Sequence, residues 1–132
     1  GSWWPPMDFG HGFVLRRELG QTGAGGWLPF EALTAIHYVH RLAAYVVLAA
    51  LAALAWQLHR QRHAAPAAGR WAVAIAAVSL LQLATGLSNV ILEWPLVAAV
   101  AHTGGAAALV TLLAVLATRA FRAGPSAPAA RR

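Results

Sequence analysis

The 132-residue chain has no cysteine, which excludes disulfides, thiolate metal sites and iron–sulfur clusters. Charge is scarce too: charged residues make up 11% of the chain, well below the roughly 25% of an ordinary soluble domain. Acidic residues are the scarcest, limited to Asp8, Glu18, Glu31 and Glu93. The formal charge of +6 would suit a nucleic-acid binder, but its distribution points elsewhere. Most of the arginines flank apolar stretches, where they set membrane orientation. What fills the chain instead is 59% hydrophobic residues, with a mean hydropathy of +0.57. That is a membrane composition. Together with a start at Gly1 rather than Met, it fits a piece of a longer polytopic protein, or a processed chain.

Three apolar runs predict an all-α transmembrane helical bundle. They cover about residues 31–59, 71–92 and 96–118, each long enough to cross a hydrocarbon core of about 30 Å. Residues 1–30 form a polar, turn-rich segment with aromatics at Trp3, Trp4, Phe9, Phe13 and Trp27. A short interfacial helix is expected there between Asp8 and Leu19, followed by a loop from Gln21 to Pro29. A connector over 60–70 holds Arg60, Arg62, His63, Pro66 and Arg70. Glu93-Trp94-Pro95 reads as a tight turn, with Pro95 suited to the first turn of the next helix. Residues 119–132 form an Ala/Pro/Arg-rich tail, expected to be disordered at its end. Trp56, Trp71 and Trp94 fall near span ends and fit an aromatic belt.

The loops give the orientation. The connector and the tail share one side and carry Arg60, Arg62, Arg70, Arg119, Arg122, Arg131 and Arg132. The other side holds all four acidic residues against Arg16 and Arg17. The positive-inside rule puts the connector and C-terminus in the cytoplasm and the first thirty residues outside, hence in a bacterial cytoplasmic membrane with an extracytoplasmic N-terminal segment.

His40 and His102 lie inside apolar spans, where an ionisable side chain is costly and marks a functional site by default. His40 is nine residues past Glu31 and His102 six past Leu96, about 14 Å and about 9 Å along their helices. Both therefore belong to the outer half of the bilayer. Ala43 and Ala44 follow His40, while Ala98, Ala99, Gly105 and Ala106 flank His102 at three and four residues, the spacing of one helix face. Two imidazoles on facing helices, each on a patch without bulk, suit the axial ligation of a haem. The competing reading is that each histidine only hydrogen-bonds a neighbouring helix.

His37, three residues before His40, is the alternative ligand, or a contact to the haem edge. Arg41 needs a partner for its charge. A haem propionate would serve through paired donors, and snorkelling to the headgroups is the alternative. Gln82, Thr85, Ser88 and Asn89, with Gly86 among them, read as helix-packing and interhelical hydrogen-bonding residues. His11, His59 and His63 are not expected to be ligands. The last two flank a cytoplasmic helix end, where cationic side chains are ordinary.

The runs WWPPMDFGHGFVLRRELG, ALTAIHYVHRLAAYVV and LQLATGLSNVILEWPLVAAVAHTGGAAAL together resemble the C-terminal half of haem A synthase, in order and spacing, from about Trp3 to Thr118. The family is an eight-helix membrane enzyme of two similar four-helix halves. It oxidises the ring-D methyl of haem O to the formyl of haem A for terminal oxidases. The resemblance implies that the matching His40 and His102 are the axial ligands of a haem b iron in the C-terminal half, and that the N-terminal half holds the substrate. This chain would then be three spans of a four-helix half, inactive alone. Its expected partners are the missing N-terminal half, haem O, haem O synthase, a second copy of the chain and membrane lipid. The departures are the absent N-terminal half, with its substrate-site histidines and carboxylate, and the absent cysteine pair of many bacterial relatives. Two rivals stay open: a b-type cytochrome electron-carrier subunit without substrate chemistry, and a structural or assembly protein whose histidines bind nothing.

Overall fold

Alanine and leucine dominate the long runs, and both are strong helix formers. In the computed structural model, which describes residues 3–18, 20–92 and 95–124, these runs form three long helices. They are α2 (Phe30–Arg60), α3 (Pro66–Ile91) and α4 (Leu96–Ala123), preceded by a single turn, α1 (Phe9–Gly12). No strand occurs among the described residues, only an isolated antiparallel bridge between Gln21 and Trp27. All three long helices are apolar enough and long enough to span a membrane. The fold is an all-α transmembrane bundle. The Glu93-Trp94 part of the expected turn, Leu19 and the tail from residue 125, with Arg131 and Arg132, lie outside the described residues.

The chain divides into two units, Gly1–Ala49 and Ala50–Arg132, with α2 running through the boundary. In the first unit the interfacial helix is shorter than expected. The Asp8 carboxylate caps one turn by accepting from the His11 backbone N–H at 3.0 Å, and helix then stops at Gly12. Glycines at positions 10 and 12 give that turn little propensity to continue. The Asp8 N–H donates to the Glu31 carbonyl at 3.0 Å, tying the turn to the start of α2. Ala32 and Ala35 are fully buried there. After α1 the Arg17 guanidinium donates to the carbonyls of Val14, Gln21 and Gly12. It acts as a clamp on the loop, a role its charge alone does not reveal.

In the second unit α3 and α4 form an antiparallel hairpin. Helix α3 begins at Pro66, earlier than the apolar pattern alone suggests, because proline is preorganised for a first turn and the Ala-Ala-Gly-Arg stretch after it can wind. Helix α4 runs past Thr118 to Ala123 and stops at Gly124, whose φ of 58° leaves the helical region. Leu51, Ile75 and Leu109, one from each long helix, form the buried core, with Leu54, Leu58 and Val78 packed around it. Between lipid-solvated helices such packing works through van der Waals contact rather than the hydrophobic effect. Leu80, Leu83, Leu87 and Val110 face outward. At the ends of the hairpin the Arg119 guanidinium lies over the Trp71 ring, 5.5 Å from its centroid.

Candidate functional site

The two histidines singled out by the sequence belong to different units. His37, His40 and Arg41 follow one another on the first turns of α2, in the first unit, and all three are exposed within this chain. Tyr38, between them, meets the edge of Trp4 with ring centroids 5.6 Å apart and planes at 73°. The N-terminal segment therefore folds an aromatic side chain against the helix turn that carries His37 and His40.

His102 sits on α4 in the second unit, half-buried against α3. Its Nδ1 is 3.0 Å from the Thr85 hydroxyl. The Gln82 side-chain amide donates to its backbone carbonyl at 2.9 Å. A Cβ at Gly86 would come 3.0 Å from the His102 Cε1, so the ring packs where that side chain would be. Gln82, Thr85 and Gly86 are spaced three and four apart, one face of α3, and all three meet His102. The small residues follow the same logic. A Cβ at Gly105 would overlap the Gln82 amide nitrogen, so the absence of a side chain there lets Gln82 reach across.

Of the polar residues grouped from the sequence, Gln82 and Thr85 make the interhelical bonds, and both go to His102. Ser88 bonds its own helix, at the Ala84 carbonyl. Asn89 is buried on the same face as Gln82 and Thr85, and its Oδ1 has no hydrogen-bond partner among the described residues. The i, i+3, i+4, i+7 spacing of Gln82, Thr85, Gly86 and Asn89 marks a shared face in the sequence, but not which residue of α4 it meets.

The remaining histidines lie elsewhere. His11 closes on Asp8, Nδ1 to Oδ2 at 2.6 Å. The His11 backbone N–H, and then its side chain, hold the Asp8 carboxyl below the usual range. His59 ends α2, and its carbonyl accepts from Arg62 at 3.3 Å. No group of three or more His, Asp or Glu that would hold a bare metal ion occurs among the described residues.

Residues 4–114 match the cytochrome oxidase assembly protein family. The chain is 32% identical over 91 residues to the haem A synthase of Shewanella oneidensis, covering 69% of this chain and 26% of that protein. It is 37% identical over 99 residues to the haem A synthase of Methylorubrum extorquens, covering 75% of this chain and 25% of that protein. The chain thus spans about a quarter of the length of these curated relatives. No solved structure matches it. With three membrane-spanning helices and a family match over most of its length, this chain is a multi-pass membrane protein of the haem A synthase family of cytochrome oxidase assembly proteins.

Proposed function

We propose that this chain is the C-terminal, haem b-binding portion of a haem A synthase, and that the whole protein oxidises the ring-D methyl of haem O to the formyl of haem A. The observation that carries this reading is the setting of His102. It is an intramembrane imidazole seated on small residues and held through its Nδ1 and its carbonyl by the neighbouring helix. A histidine that ligates a metal almost always uses its other ring nitrogen in such a second hydrogen bond. By the resemblance His40, with Ala43 and Ala44 beside it, would supply the second imidazole. His37, one turn nearer the N-terminal end of α2, would contact the haem edge, and Arg41 would pair with a propionate.

Haem b held by two imidazoles would supply one-electron redox chemistry with no open coordination position, which suits electron transfer rather than oxygen activation. The rest falls to the missing N-terminal half, which binds haem O and holds it in the pose the oxidation requires. The present chain has one intramembrane histidine pair, so it binds one haem and does not make haem A alone. The arginine distribution puts the connector and C-terminus in the bacterial cytoplasm and the haem toward the outer face.

The test is the spectrum of the full-length protein. His40→Ala and His102→Ala should each abolish or broaden the low-spin b-type absorption of the reduced protein. If both variants keep the wild-type spectrum and haem content, the ligand assignment is wrong.

A further inference from the structure

We propose that Thr85 is a positioning residue for His102: its hydroxyl holds the imidazole as the Nδ1–H tautomer, so that Nε2 carries the lone pair offered to a metal. The role toward a metal rests on the haem reading above, whereas the tautomer assignment stands on the geometry of α3 and α4 alone.

The argument is a count of protons. The Thr85 Oγ1 lies 2.8 Å from the Leu81 carbonyl, 3.3 Å from the Gln82 carbonyl and 3.0 Å from the His102 Nδ1. A hydroxyl has one proton to donate and lone pairs to accept with. Two oxygens 2.8 Å apart with no proton between them would set lone pair against lone pair, so the proton goes to Leu81, the short contact. The contact with His102 is then attractive only if Nδ1 carries a hydrogen and Oγ1 accepts it. Which ring nitrogen is protonated is set by the hydrogen bond the other one makes. In the neutral ring Nε2 is then the nitrogen that carries the lone pair.

One further contact keeps the ring in place. The Gln82 bond to the His102 carbonyl fixes the level of α4 against α3, which keeps Nδ1 in reach of Oγ1. Donation of Nδ1–H to an acceptor also makes the opposite nitrogen a stronger electron donor to a metal. Thr85 thus tunes the ligand as well as aiming it.

The first test needs no haem. With ring-15N-labelled histidine and the protein in lipid bilayers, nitrogen NMR separates the two tautomers, and His102→Gln identifies the His102 signals. Wild type should show His102 as Nδ1–H. Thr85→Val, nearly the same shape without the hydroxyl, should shift the population toward Nε2–H, and Thr85→Ser should restore the wild-type pattern. A wild-type His102 found as Nε2–H overturns the proposal whatever the variants do, as does a Thr85→Val protein with an unchanged tautomer. In the haem-loaded full-length protein, Thr85→Val should raise the haem midpoint potential, and Thr85→Ser should return it toward wild type. A full-length protein without b-type absorption ends the haem reading and leaves the tautomer result to judge Thr85. A haem protein whose tautomer and potential both ignore Thr85→Val ends the positioning role and leaves the haem reading intact.

Discussion

The Gln82 amide reaches the carbonyl of His102 at 2.9 Å because residue 105 has no side chain to stop it. The contact is conditional on a glycine one turn further along α4, so the two helices encode it jointly. Gly105→Ala should push the flexible Gln82 amide away and forfeit its interhelical hydrogen bond, at a cost of about 0.5–2 kcal/mol. In a Gln82→Ala background the same substitution should no longer destabilise, because no bond is left to break, and should show the gain in helix propensity of an ordinary glycine-to-alanine change. A double-mutant cycle on thermal unfolding in detergent reads the coupling. Additive effects would show that Gly105 and Gln82 act separately. Gly104 is the internal control. A Cβ there meets nothing within 4 Å, so Gly104→Ala should stabilise the chain by about 0.5–1 kcal/mol through helix propensity.

Arg41 distinguishes a propionate partner from simple snorkelling. In the full-length protein Arg41→Gln should lower haem retention during purification, by several-fold in haem per protein. Arg41→Lys should recover only part of it, since an ammonium lacks the planar fork that pairs with a carboxylate. Equal haem content in all three proteins would assign Arg41 to the headgroups.

The hairpin and its flanks carry Arg60, Arg62, Arg70, Arg119 and Arg122 at one end. A reporter fused after Arg132 should therefore behave as cytoplasmic. Alkaline phosphatase activity from that fusion would reverse the orientation and move the haem to the inner leaflet.

The Asp8 cap predicts a pH response confined to the N-terminal turn. The His11 backbone N–H and side chain favour the ionised carboxylate and hold its pKa below the ordinary value. For a group lowered in the folded state, the stabilisation is full above the unfolded value and disappears as pH falls through the folded one. Hydrogen-exchange protection of the His11 amide should therefore be constant near neutrality and lost only in acid, below the usual aspartate range. Asp8→Asn keeps an oxygen for the cap and should make that protection independent of acid. Protection already lost well above the usual aspartate range would mean that the Asp8 carboxylate does not hold the turn.

The spans were legible because apolar runs of this length have few other uses. The helix ends were not. Gly69 and Arg70 look like connector by composition, yet both are wound into α3 behind Pro66, since local capping rather than hydropathy decides where a helix starts. The face of α3 that meets His102 was visible as a polar spacing, and its partner was not. Periodicity fixes the residues of one helix relative to each other, but says nothing about the level at which a second helix lies beside it. Arg17 was hidden for a different reason: in sequence it is one of two adjacent cations, and only the loop's own path brings three carbonyls around it.

The stacking of Arg119 on Trp71 has a consequence at the other end of the hairpin. Sliding α4 by one residue moves every side chain about 1.5 Å along the axis and about 100° around it, enough to take the guanidinium off the ring face. The pair therefore works as a vernier between two parallel rulers. It reads and fixes their alignment some 20–25 Å away from His102, counted at 1.5 Å per residue. A substitution at Trp71 removes that stack, and a resulting shift of α4 along α3 would be read at the Thr85–His102 contact.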